Sequence, residues 1–115
     1  MSAYEEAMSN DTYGGKTPEE TLQLFTEALQ KGDVDLASKY FELPQENQNK
    51  WKTGLDAIDK SGNLKRMASD LMKYDSVAKD IPTFYQFFYK NDDGSVGLQL
   101  SLHSQESGIW KIENF

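Results

Sequence analysis

The stretch Gly14-Gly15-Lys16-Thr17 ends like a phosphate-binding loop, in which backbone N–H groups cradle phosphate oxygens and a lysine neutralises them. That motif requires a further glycine where this chain has Asn10, and no strand-like segment precedes it. Thr17 and Pro18 instead suit the opening of a helix. His103 is the sole imidazole and so the one side chain whose ordinary pKa lies near neutrality. It falls on the polar side of an alternating segment, and as a lone histidine it falls short of the ligand set of a zinc site. As a general base it would need a substrate-holding pocket beside it. Asn91, Asp92 and Asp93 offer oxygens for calcium, but without the alternating ligands and closing glutamate of an EF-hand loop. Before Gly94 they read as a turn. Tyrosines (Tyr40, Tyr74, Tyr85, Tyr89) and acids (Asp70, Asp75) supply the residue types of an isomerase site. No acid, however, falls on the apolar face of VGLQLSLH, where a buried base would stand out. Thus no catalytic residue, no cofactor and no metal site is assigned.

The remaining chemistry is recognition through aromatic and aliphatic surface. In TFYQFFYK, Phe84 and Phe88 fall to one side, and Tyr85, Phe87 and Tyr89 to the other. Both sides being apolar implies a strand covered twice over or an aromatic surface that receives a ligand or partner. Leu98 and Leu100 of VGLQLSLH and Trp110 of GIWKIENF are the other candidates for such a surface. The ligand-binding candidates are therefore Tyr85, Phe87, Tyr89, Leu98, Leu100 and Trp110. The sequence leaves open which face of residues 83–90 is buried.

Several elements must position these residues. TPEE carries an N-cap threonine, a proline at the first helical position and acids that complement the helix dipole. Leu22, Phe25, Ala28 and Leu29 then share a face up to Gly32. Asp33 caps a second helix, VDLASKYF, which Leu43-Pro44 stops. Trp51, Leu55 and Ile58 place a third helix over roughly 45–60, weakened by Gly54. Leu64, Met67, Ala68, Leu71 and Met72 mark a fourth. After Pro82 the apolar period changes from that of a helix to that of a strand. Three strands follow, TFYQFFYK, VGLQLSLH and IWKIENF, with a further short one expected around Ser76–Ile81. The fold class is α+β, with helices packed on one face of an antiparallel three- to four-stranded sheet. Residues 1–16 read as a disordered tail or linker and 17–115 as a single domain.

The chain is 115 residues long, with a formal charge of −7 and no cysteine. Disulfides and thiolate chemistry are excluded. With no basic cluster, nucleic acid is not an expected partner. No apolar run is long enough to span a membrane.

The stretch TPEETLQLFTEALQKGDVDLASKYF resembles the opening helix pair of the nuclear-transport-factor-2-like (cystatin-like) superfamily, and GIWKIENF resembles its final strand. The resemblance implies helices wrapped on a curved sheet that forms a cone with a pocket, and pairing of two copies through the open sheet face. Where many members place a hairpin after the second helix, residues 45–73 here look helical, implying a shallower pocket. The nearest likeness is to small envelope lipoprotein and membrane-tethered domains, which implies an extracytoplasmic location and a membrane link only through a missing N-terminal anchor. The expected function is a non-enzymatic binding or assembly module for an apolar small molecule or a protein partner. The alternatives are a small isomerase- or cyclase-type enzyme and a purely structural domain.

Overall fold

The computed structural model describes residues 12–73, 76–81, 83–90, 93, 95–105 and 107–114. Among the described residues the chain forms helices α1 (Pro18–Gln30), α2 (Val34–Ser38), α3 (Gln45–Lys60) and α4 (Leu64–Leu71). Strands β1 (Ser76–Ile81), β2 (Phe84–Lys90), β3 (Val96–Ser104) and β4 (Trp110–Asn114) follow, making the α+β class expected from the periodicity.

Local chemistry sets the helix ends. Thr17 Oγ1 accepts from the Glu20 amide at 3.1 Å, closing the first turn of α1. At the other end Gly32 takes φ +72°, its N–H bonds Leu29 O, and the Asp33 N–H bonds Ala28 O. That reverse turn satisfies two orphan carbonyls and needs the left-handed angle that glycine adopts freely. Asp33 Oδ1 then accepts from the Leu36 amide at 3.1 Å and starts α2.

Helix α2 ends at Ser38, before the Tyr40 and Phe41 that its apolar spacing would have included. A competing interaction takes the main chain there. Ile112 N–H bonds Tyr40 O at 2.8 Å, and Glu42 N–H bonds Ile112 O at 3.0 Å, so the segment runs parallel to β4. Leaving the helix also lets Phe41 stack on Trp51, with centroids 4.9 Å apart, and meet Phe25 edge-on at 5.5 Å.

The strands pair antiparallel in the order β1-β2-β3-β4. In the β2–β3 turn, Asp93 Oδ1 accepts from the amide and hydroxyl of Ser95; Asn91, Asp92 and Gly94 lie outside the described residues. In the helical layer α1 packs against α2, α4 and β4, α3 against α2 and α4, and α4 against β3. Phe25, Leu29, Phe41, Leu55, Leu102 and Ile112 are all fully buried at the centre. Each such side chain contributes roughly 1.5–3 kcal/mol by leaving water.

Ordered structure begins inside the stretch read as a tail. Residues 12–16 lie against β4: the Trp110 N–H bonds Gly15 O at 2.9 Å, and the Gly15 N–H bonds Thr21 Oγ1, also at 2.9 Å. Residues 1–11 lie outside the described residues.

Candidate functional site

Strand register assigns the faces. Tyr85, Phe87 and Tyr89 stand opposite Leu102, Leu100 and Leu98, and Leu102 stands opposite Ile112. All of these, with Trp110, occupy register positions of one face, and it carries the fully buried Leu100, Leu102 and Ile112. This inner face therefore brings the expected lining positions together. The side chains of Tyr89 and Leu98 lie outside the described residues.

Phe87 is 3% exposed, Leu100 0% and Trp110 8%, so the chain's own packing closes over all three. Tyr85 is half-buried and packs against that core from its margin. Its ring lies 5.0 Å from Phe87 at a 54° tilt and 6.4 Å from Trp110 edge-on, geometries in which aromatic quadrupoles attract. The arrangement is one partly accessible phenol on a closed aromatic and aliphatic base.

The outer face is a different surface. Gln86 Nε2 donates to Ser101 Oγ at 3.0 Å, and this polar pair lies between the half-buried Phe84 and Phe88. Further along, His103 Nδ1 meets Glu42 Oε1 at 3.4 Å. Glu42 comes from the segment beside β4, and its carboxyl is held above the ordinary range. Burial is the main cause and the Glu113 charge the second, partly offset by His103 and Lys111. Lys111, the cross-strand partner of His103, is fully buried, and its Nζ donates to the carbonyls of Tyr13 and Lys39.

An imidazole oriented by a carboxylate is able to hold and pass a proton. His103 is itself exposed, on a sheet face outside the buried cluster. Among the described residues no three His, Cys, Asp or Glu side chains converge on a metal position. No described helix is long and apolar enough to cross a membrane. Sequence reasoning placed His103 on the polar side of its strand but found neither its partner Glu42 nor the burial of Lys111. Glu42 lies 61 positions away in the chain from His103, and no local periodicity links residues so distant.

Comparison with family models, with curated proteins and with solved structures gives no match to this chain.

Proposed function

We propose that the chain is a non-enzymatic binding or assembly module that recognises an apolar or aromatic group at Tyr85 on the inner sheet face. The observation carrying this reading is the Tyr85 ring itself, half-exposed and held between Phe87 and Trp110. A ring already fixed by its neighbours loses little freedom on binding, so its contact area is recovered as affinity. The occupant is a small molecule with an apolar face or an aromatic side chain of a protein partner.

The resemblance to the nuclear-transport-factor-2-like superfamily supports the same reading, through the capped α1–α2 pair and the Gly-x-Trp-Lys-Ile sequence leading into β4. In that view the sheet is the wall of a shallow cone, and the domain is the extracytoplasmic part of a tethered protein. A purely structural role is the second reading, favoured by the closure of Phe87, Leu100 and Trp110 within the chain's own core.

Amide NMR spectra titrated with a small library of aromatic and apolar ligands decide between them. Shifts clustered on Tyr85, Leu98 and Trp110 are expected of the binding module. An unchanged spectrum from a well-folded sample would favour the structural role.

A further inference from the structure

Met67 and Met72 are the methionines among the described residues, and they meet solvent differently. Met67 is half-buried and packs against the core from within α4. Met72 closes the C-terminal end of α4 and leaves 49% of its surface exposed. Its place in the fold is nonetheless set. The Met72 N–H bonds Ala68 O at 3.3 Å, and the Lys73 N–H bonds Asp70 O at 3.1 Å. A thioether open to water is a ready target for peroxides, which convert it to a sulfoxide.

One side of the Met72 sulfur is occupied. Helix α1 packs against α4, and Thr26 of α1, 2% exposed, brings its hydroxyl oxygen to 3.4 Å from Met72 Sδ. The same hydroxyl lies 3.0 Å from Gln23 O in the preceding turn of its own helix. A bond of that kind holds a threonine in one side-chain rotamer, so the oxygen stands beside the sulfur in a fixed direction. The hydroxyl has one proton for two acceptors, and sulfur is the weaker of them. The shielding does not depend on where the proton goes. At 3.4 Å the oxygen and sulfur are in contact, and no third atom fits between them.

A thioether sulfur carries a lone pair on each side of its C–S–C plane, and addition of oxygen to the two sides gives opposite sulfoxide epimers. In the reaction a sulfur lone pair attacks one oxygen of hydrogen peroxide, and the S–O bond forms as the O–O bond breaks. The displaced hydroxide takes the proton from the transferred oxygen and leaves as water. Sulfur is oxidised by two electrons and the peroxide is reduced.

We infer that Met72 is a site of epimer-selective sulfoxidation: the Thr26 oxygen closes one side of Sδ, a peroxide delivers its oxygen from the other, and the product is a substrate for the class of methionine sulfoxide reductase specific for that epimer. The new oxygen points away from the buried Thr26. At Met67 the same oxygen would enter apolar contacts with the core, where a polar group without a partner is costly.

The full chain treated with dilute hydrogen peroxide at neutral pH tests this. Fragment-ion mass spectrometry after digestion separates Met67 from Met72, and Met72 should gain its oxygen at least about fivefold faster. The digested Met72 peptide is then offered to the two classes of sulfoxide reductase, one for each epimer. Being free of the fold, the peptide reports only which epimer was formed. One class should restore at least about nine-tenths of the sulfoxide and the other about one-tenth or less. Thr26→Ala should bring the two yields towards equality, whereas Thr26→Ser, which keeps the oxygen, should retain the parent ratio. Equal yields from the parent would overturn the shielding, as would a parent ratio unchanged in a folded Thr26→Ala. Oxidation of Met67 as fast as that of Met72 would overturn the site. Should Thr26→Ala fail to fold, the parent and Thr26→Ser decide the matter, and equal yields in either overturn the inference.

Discussion

Glu42 shows how one side chain couples fold and surface. Its backbone N–H extends the pairing beside β4, while its carboxyl, half-buried, faces His103. Burial and the Glu113 charge raise its pKa above the ordinary 4.5, so the folded protein holds this proton more tightly than the unfolded chain does. The stability it contributes is therefore complete below the ordinary value and is lost as pH rises through the raised one. Glu42→Gln removes this component. Chemical denaturation of parent and variant from pH 4 upward should show the parent losing stability relative to the variant across that interval. Parallel curves would contradict the assignment. Thr17→Ala is a second test at this scale: it removes the cap on α1 and should cost about 1 kcal/mol in urea unfolding.

Among the helices, α3 has the fewest buried residues. Leu55 is its fully buried residue, supported by Trp51 stacked on Phe41 and by the partly buried Ile58. Leu55→Ala should cost about 2–5 kcal/mol of unfolding free energy. Gly54 is exposed in mid-helix with open space where a Cβ would go, so Gly54→Ala should stabilise by about 1 kcal/mol. Urea melts of both variants check the pair. Elements of this kind were legible in the sequence because capping residues and apolar spacing act locally. The caps at Thr17 and Asp33, the turn at Gly32 and the α3 range all follow from residues within one or two turns. The early end of α2 did not follow, because its cause is pairing with Ile112, far away in the chain. The seating of residues 12–16 was hidden for the same reason: Tyr13 and Gly15 are polar or small by themselves, and their partners include Lys111 and Trp110, far away in the chain. Within single strands the grouping of Tyr85 with Phe87 and Tyr89, and of Leu98 with Leu100, was legible because alternation is a local signal, whereas the register that sets both groups and Trp110 on one face was not. How closely that face is covered depends on the helices above it, so the burial of Phe87 and Trp110 was not.

Across the whole molecule, the antiparallel sheet and the helices share one core running from Phe25 and Phe41 to Leu100 and Ile112. Cooperativity should follow that core. Hydrogen exchange is expected to be slowest at the β3 and β4 amides around Leu102 and Ile112, and faster in α3, which opens with less buried surface. Equal protection of α3 and β3 would contradict this ordering. The two sheet faces also differ in kind: the inner one carries the aromatic base beneath Tyr85, the outer one polar pairs and the His103–Glu42 contact. The proposed function belongs to the inner face alone. The most direct test compares ligand-induced amide shifts in the parent, in Tyr85→Ala and in Phe88→Ala, each first shown to be folded. The account predicts that Tyr85→Ala abolishes the shifts and that Phe88→Ala, changed on the opposite face, retains them. Shifts that survive Tyr85→Ala and vanish in Phe88→Ala would place recognition on the outer face and contradict it.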